Sequence, residues 1–129
     1  IERGLAMSAM DVHRAGIARA DWHRALEALF QRFDLLAVPS AQVWPFPVDE
    51  RWPQEIAGVK MDTYHRWMEC VIPGSLSGRP SVCVPAGFGE KGLPIGLTLI
   101  GRTRGDLEVL RAAAAYEVAA DWVRAAPAL

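Results

Sequence analysis

Apolar residues recur at steps of three and four through Ala15, Ala18, Trp22, Leu26, Leu29 and Phe33, the spacing of one face of an amphipathic helix. Arg14, Arg19, Asp21, Arg24, Glu27 and Arg32 fill the intervening positions. Ser8 with Asp11 three residues on is a helix start of capping-box type, with Asp in place of the usual Glu. Asp34 breaks the period. Leu35 to Val38 is then a short all-apolar run stopped by Pro39, the profile of a strand covered on both faces.

From Pro39 to Lys60 no period survives. Pro39, Pro45, Pro47 and Pro53 forbid a regular helix or an interior strand, and Trp44, Phe46 and Trp52 are interleaved with them. A loop this long, stiffened by proline and carrying aromatics, is more often functional than not. Asp62 is placed to cap a second helix through about Val71, after which Pro73, Gly74 and Gly78 return the chain to a loop. Two β-rich runs, Ser81 to Val84 and Ile95 to Ile100, flank a Gly/Pro-rich turn and predict a hairpin. Ile95, Leu97 and Leu99 alternate with Gly96, Thr98 and Ile100 across its second strand. Asp106 can cap a last helix with an apolar stripe of Leu107, Leu110, Ala114, Val118 and Trp122, closed by Pro127. The order helix, strand, helix, hairpin, helix predicts one α/β unit of few strands over residues 1–129.

Composition narrows the class. The 129 residues are 51% hydrophobic with a net charge of −1, so a sizeable core is available and no basic footprint for nucleic acid exists. No apolar run has the length to cross a bilayer as a helix. Cys70 and Cys83 form no C-x-x-C pair; free thiols in a reducing, cytoplasmic compartment are expected. The first residue is Ile1, so a piece, a processed product or a trimmed chain is expected.

The candidate chemistry is sparse. Gly87, Gly89 and Gly92 spell G-x-G-x-x-G, but Leu93 and Pro94 lead into a strand rather than the helix a dinucleotide site needs. The hairpin reading is therefore preferred. Gly74-Ser75-Leu76-Ser77-Gly78 resembles a nucleophile loop without matching G-x-S-x-G, and a serine nucleophile needs a base beside it. The only lysines, Lys60 and Lys91, fall in turn-like stretches. A loop whose hydroxyls satisfy backbone groups is the better reading. His13, His23 and His65 have no metal-ligand spacing, so no metal is expected. Trp44, Trp52 and Trp67 could wall an apolar pocket; for Trp22 and Trp122, on helical stripes, packing is the better account.

Several strings together resemble the carboxy-terminal region of the amidase signature family. They are Leu35-Leu36-Ala37-Val38-Pro39-Ser40, Ser75-Leu76-Ser77-Gly78-Arg79-Pro80, Val84-Pro85-Ala86-Gly87-Phe88, Gly92-Leu93-Pro94-Ile95-Gly96-Leu97, Ile100-Gly101-Arg102 and the Ala-rich helix with Tyr116-Glu117. One departure is Ser75, where many members carry Asn. The resemblance implies the C-terminal part of an α/β/α sandwich, here a few-stranded mixed sheet with a hairpin flanked by helices. It implies carboxamide hydrolysis, without metal or organic cofactor, by a Ser nucleophile, a bridging Ser in a cis peptide and a Lys, none of which maps onto this sequence. No catalytic residue is therefore assigned and the chain alone is expected to be inactive. The resemblance also implies a small-molecule amide substrate, faced by Ser40, Gln42, Trp44, Trp67 and Ser75. The chain itself is expected to self-associate, with no nucleic-acid or membrane partner. Two alternatives stay open: a non-catalytic binding or assembly module of the same fold, and a piece of an amidotransferase subunit.

Overall fold

The computed structural model describes residues 2–121, the side chain of Arg3 excepted; Trp122 and Pro127 lie outside the described residues. Two compact units are distinguished, residues 1–34 and 35–129.

The first unit is helical, with a short α1 (Glu2–Leu5) and a long α2 (Ala9–Leu29). The α2 start is the capping box the sequence predicts. The Asp11 backbone N–H donates to Ser8 Oγ at 3.2 Å, and the Asp11 carboxylate accepts from the Ser8 backbone N–H at 3.0 Å. The apolar stripe is largely not buried. Ala15 and Ala18 are exposed, Trp22 and Leu29 half-buried, and Leu26 alone is buried within the helix. The helix ends at Leu29 with Phe30 as its C-cap, so the helical period stops before Phe33. Phe30 takes the buried position, at 3% exposed, and Phe33 is left 49% exposed.

The second unit is built on three strands, β1 (Leu36–Pro39), β4 (Ser81–Phe88) and β5 (Pro94–Ile100), in the order β1-β5-β4 with both pairings antiparallel. The expected few-stranded sheet with a hairpin flanked by helices is present, but among the described residues its pairings are antiparallel where a mixed sheet was expected. β1 differs from expectation: among the described residues it pairs with one strand only, and its residues alternate half-buried and exposed instead of being covered on both faces. The hairpin strands are longer than predicted because Pro85 does not end β4. At a sheet edge a missing N–H costs no ladder bond. The strand accommodates the irregularity with a bulge between Pro85 and Gly87, where Gly87 takes φ +113.

Between Pro39 and Lys60 a small ribbon appears that periodicity did not reveal, β2 (Glu55–Ile56) with β3 (Val59–Lys60). Its two-residue turn puts Ala57 and Gly58 at φ +48 and +80, the type I′ signature. The expected helix from Asp62 is instead a 3₁₀ segment, Arg66–Val71, kinked at Met68, running directly into α3 (Ile72–Ser77). Asp62 does not cap it but lies 4.0 Å from Arg66 in an exposed ion pair. Pro73 and Gly74 therefore sit in a helix, not a loop. Pro is tolerated in a first turn, where its missing N–H has no intrahelical partner to lose. Gly78 at φ +66 ends the helix.

The last helix, α4 (Asp106–Ala120), packs against β4 and β5. Gly105 is its N-cap, with Asp106 one position inside, where a negative charge favours the helix dipole. The predicted stripe points outward: Leu107, Leu110 and Val118 are 55%, 58% and 87% exposed. Val109 and Ala113 face inward instead. The physical reason is close approach, since Val109 packs where a Cβ on Gly101, just after β5, would otherwise stand. The core of this unit is Met61, Val84, Leu99, Ile100, Val109 and Ala113.

Candidate functional site

The end of β1 and the loop after it carry three of the five residues named from sequence. Ser40 continues the β1 pairing, its N–H donating to Gly96 O at 3.0 Å. Its Oγ lies 2.8 Å from Thr98 Oγ1 and 2.8 Å from Cys83 Sγ, so the hydroxyl is engaged by two neighbouring strands. Gly96 makes that approach possible, because a Cβ there would stand 2.8 Å from both Ser40 Oγ and Cys83 Sγ. Gln42 is a bridge. Its Nε2 donates to Arg66 O at 3.2 Å and its Oε1 accepts from Cys70 N–H at 3.1 Å, tying the loop to the 3₁₀ segment. A 3₁₀ segment leaves backbone groups without intrahelical partners, and Gln42 satisfies one acceptor and one donor. Burial pushes the Cys70 thiol up from its ordinary range, opposed by a weaker backbone hydrogen bond.

Trp44 and Trp67 do not share a wall. Trp67 is half-buried and joins an aromatic cluster, edge-on to Phe46 at 5.5 Å and to Tyr64 at 6.1 Å, with Trp52 edge-on to Tyr64 at 5.9 Å. These T-shaped contacts pin the proline-rich loop onto the 3₁₀ segment and the residues just before it. The Nε1 atoms of Trp52 and Trp67 are buried without a hydrogen-bond partner among the described residues. Ser75 is exposed on α3, and among the described residues no hydrogen bond ties it to the other four. Its neighbour Ser77 is the engaged hydroxyl: Oγ donates to Gly74 O at 2.6 Å and accepts from Arg79 N–H at 3.1 Å. That is the backbone-satisfying role expected of this stretch.

Trp44 lines a cleft of about 440 Å³ with Pro45, Gly89, Glu90, Lys91 and Leu93. The second wall is the tip of the β4–β5 hairpin. Gly92 N–H donates to Gly89 O and Gly89 N–H to Leu93 O, both at 2.9 Å, closing a turn centred on Glu90 and Lys91. Gly92 follows at φ +71, the three-residue hairpin loop with its left-handed glycine. The G-x-G-x-x-G string is thus accounted for residue by residue: Gly87 forms the bulge, Gly89 meets Trp44, and Gly92 completes the turn. Sequence reasoning missed Glu90, Lys91 and Leu93 as lining residues; Gly89, unexplained by turn chemistry, was the available signal. Lys60 and Lys91 are both exposed. Among the described residues no three His, Cys, Asp or Glu side chains are grouped to hold a metal, and no helix is long and apolar enough to cross a membrane.

A strand-end loop clamped to a 3₁₀ turn, beside a bulged hairpin backed by a helix, makes a small α/β sheet unit. Residues 2–110 match the amidase family, and the chain belongs to that family. It is similar to a bacterial aryl acylamidase of the amidase signature family, with TM-score 0.83 and 31% identity over 96% of this chain and 26% of that one. It is also similar to a glutamyl-tRNA(Gln) amidotransferase subunit of Thermotoga maritima, with TM-score 0.65 and 29% identity over 82% of this chain and 22% of that one. The corresponding amidotransferase subunit of Chloroflexus aurantiacus is 35% identical over 116 residues, and that of Dehalococcoides mccartyi 34% over 100. The chain spans 22% and 19% of the length of these two relatives.

Proposed function

We propose that this chain is the carboxy-terminal portion of an amide hydrolase that converts a carboxamide to a carboxylate and an amine or ammonia. The observation that carries the reading is its structural likeness to the aryl acylamidase over 96% of the chain. In this reading a serine outside the 129 residues attacks the carbonyl carbon and the amine leaves with a proton. Water then releases the acyl group from the serine. The two units of the chain belong to that one larger domain, in a reducing cytoplasm suited to the free Cys70 and Cys83. The chain contributes the sheet edge and substrate-facing residues. Trp44 presents a side wall; Gln42 and Trp67 position the 3₁₀ turn; Ser40 and Ser75 stand at the strand end and on α3. The open edges of β1 and β4 and the exposed Leu107, Leu110 and Val118 favour self-association of the isolated chain.

The test compares two proteins. The polypeptide from the complete reading frame should release amine from simple aliphatic and aryl amides and be silenced by a serine-directed covalent inhibitor. The 129-residue chain should do neither; inhibitor-sensitive turnover by the chain alone overturns the reading. The curated relatives favour a second reading, a piece of an amidotransferase subunit that passes ammonia to a partner enzyme. A stable co-purifying partner and glutamine-dependent ammonia release, with simple amides untouched, would select it.

A further inference from the structure

Gln42 meets the 3₁₀ segment at two backbone groups that belong together. In an α-helix the N–H of residue 70 donates to the carbonyl of residue 66, four positions back. Here Cys70 N–H donates to Gln42 Oε1 at 3.1 Å, and Arg66 O accepts from Gln42 Nε2 at 3.2 Å. Met68, midway between them, leaves helical geometry at φ −113, ψ +19. A side chain inserted into the helical ladder is one of the few causes of a sharp bend. Pro73 is the other candidate in this stretch, but it acts further on. A proline ring obstructs the carbonyl four residues back, Glu69 O, and that carbonyl accepts from Ile72 N–H. The Arg66–Cys70 pair is left to Gln42. A primary amide suits the gap, because it donates and accepts at once. The stretch Ser40–Val48 that carries Gln42 holds no charge. On the facing segment Arg66 lies 4.0 Å from Asp62 and 3.6 Å from Glu69, with His65 just before it and the Cys70 thiol 3.9 Å from Pro39 O.

We propose that Gln42 is a positioning residue: its amide stands in for the helical hydrogen bond between Cys70 N–H and Arg66 O, holds the bend at Met68, and so fixes Trp67 and the loop after β1 as one unit. Trp67 lies between the clamped residues and meets Phe46 of that same loop edge-on at 5.5 Å, so the amide clamp and the ring contact reinforce each other. Both ends of the Gln42 amide are engaged by backbone, and the residue therefore acts through the segment rather than by touching a substrate. That this unit borders the substrate rests on the amide-hydrolase reading above; that the amide holds the bend does not.

The experiment uses the polypeptide from the complete reading frame, as Gln42→Leu, Gln42→Glu and the unchanged protein. Amide hydrogen exchange is read by mass spectrometry on peptides spanning residues 66–72, each variant against the unchanged protein at the same pH, at pH 5 and pH 8. Gln42→Leu should exchange about tenfold faster there at both values, with distant peptides unchanged. Gln42→Glu carries its own control. Protonated, its carboxyl donates to Arg66 O and accepts from Cys70 N–H as the amide does; ionised, it has no proton to donate. The bond to Arg66 O favours the neutral form and raises the carboxyl above its ordinary value. Gln42→Glu should therefore match the unchanged protein at pH 5 and the leucine variant at pH 8. With a simple aliphatic amide that the complete protein hydrolyses, the leucine variant should raise KM about fivefold with kcat within about twofold, and the glutamate variant should do so at pH 8 only. Partial unfolding would instead lower kcat at unchanged KM. If Gln42→Leu fails to fold, Gln42→Glu at the two pH values still decides. Unchanged exchange at 66–72, acceleration spread over the whole protein, or a glutamate variant as loose at pH 5 as at pH 8 would overturn the clamp. A lowered kcat at unchanged KM would overturn the positioning role. A complete protein that hydrolyses no amide removes the substrate-bordering role together with the hydrolase reading, while exchange alone decides the clamp.

Discussion

Gly101 is the residue whose replacement the structure judges most severely. It joins β5 to α4 and is buried, and a Cβ at this position would stand well inside van der Waals contact of Val109 Cγ2 and 3.7 Å from Val109 Cβ. Ordinary carbon contacts lie near ~3.5–4.0 Å. Val109 is 2% exposed and packs in the core with the sheet, so neither partner recedes cheaply. Gly101→Ala should therefore destabilise by about 3 kcal/mol, the upper end for overpacking. Val109→Ala removes two buried methyl groups, about 1.6 kcal/mol of transfer free energy, and with the cavity term about 2 kcal/mol. Together the single changes sum to about 5 kcal/mol. In the double variant the new methyl at position 101 enters the space that Cγ2 vacates. Its cost should fall short of the sum by about 2 kcal/mol, as expected for residues in contact. Urea unfolding followed by far-UV circular dichroism, with the slope unchanged across the four proteins, measures the cycle. Additivity within about 0.5 kcal/mol, or a Gly101→Ala cost below about 0.5 kcal/mol, would refute the close-approach account of this junction.

Ser8→Ala should cost the α2 start about 1 kcal/mol, seen as lost helicity at its first turn. The Asp11 carboxyl is held below its usual value by the Ser8 side-chain and backbone hydrogen bonds, so its contribution is present above the unfolded-state carboxyl range and is lost as pH falls through the folded value. Acid should therefore fray the first turn, and Asp11→Asn should flatten that pH dependence in amide exchange; an unchanged profile contradicts the capping box. Gln42→Leu leaves Arg66 O and Cys70 N–H without their partner and should cost about 1–3 kcal/mol by chemical unfolding, with faster exchange of the Cys70 amide. The Cys70 thiol, pushed up by burial, should react with iodoacetamide more slowly at pH 8 than an unstructured cysteine peptide and gain rate above the ordinary thiol range; equal rates would show that its burial is not maintained in solution.

The parts of this protein that were legible in the sequence are those decided within a few residues of chain. Ser8 and Asp11 close their capping box by contacts three residues apart, and the Gly/Pro-rich turn between two β-rich runs can do little but fold back into a hairpin. Gly87 and Gly92 in conformations that disfavour side chains are likewise local demands. What the tertiary structure decided is which side of each element is covered. β1 looked fully buried because all its residues are apolar, yet among the described residues it pairs on one side only and only alternate residues are shielded. Pro85 looked like a strand end because the position of β4 at the sheet edge is not encoded beside it. On α4 both the Leu107–Leu110–Val118 row and the Val109–Ala113 row are apolar, and periodicity could not choose between them. The Val109 row meets the sheet beside Gly101, eight residues before Val109, whose missing side chain leaves the space that Val109 occupies. Of the site, Trp44 and its loop could be named from composition, but the second wall of its cleft is supplied by Gly89 to Leu93, more than forty residues away. Hydrogen bonds of turns and caps close within a local stretch, so local sequence specifies them. Burial and close approach depend on surfaces brought together from distant positions, and those exist only once the chain has folded.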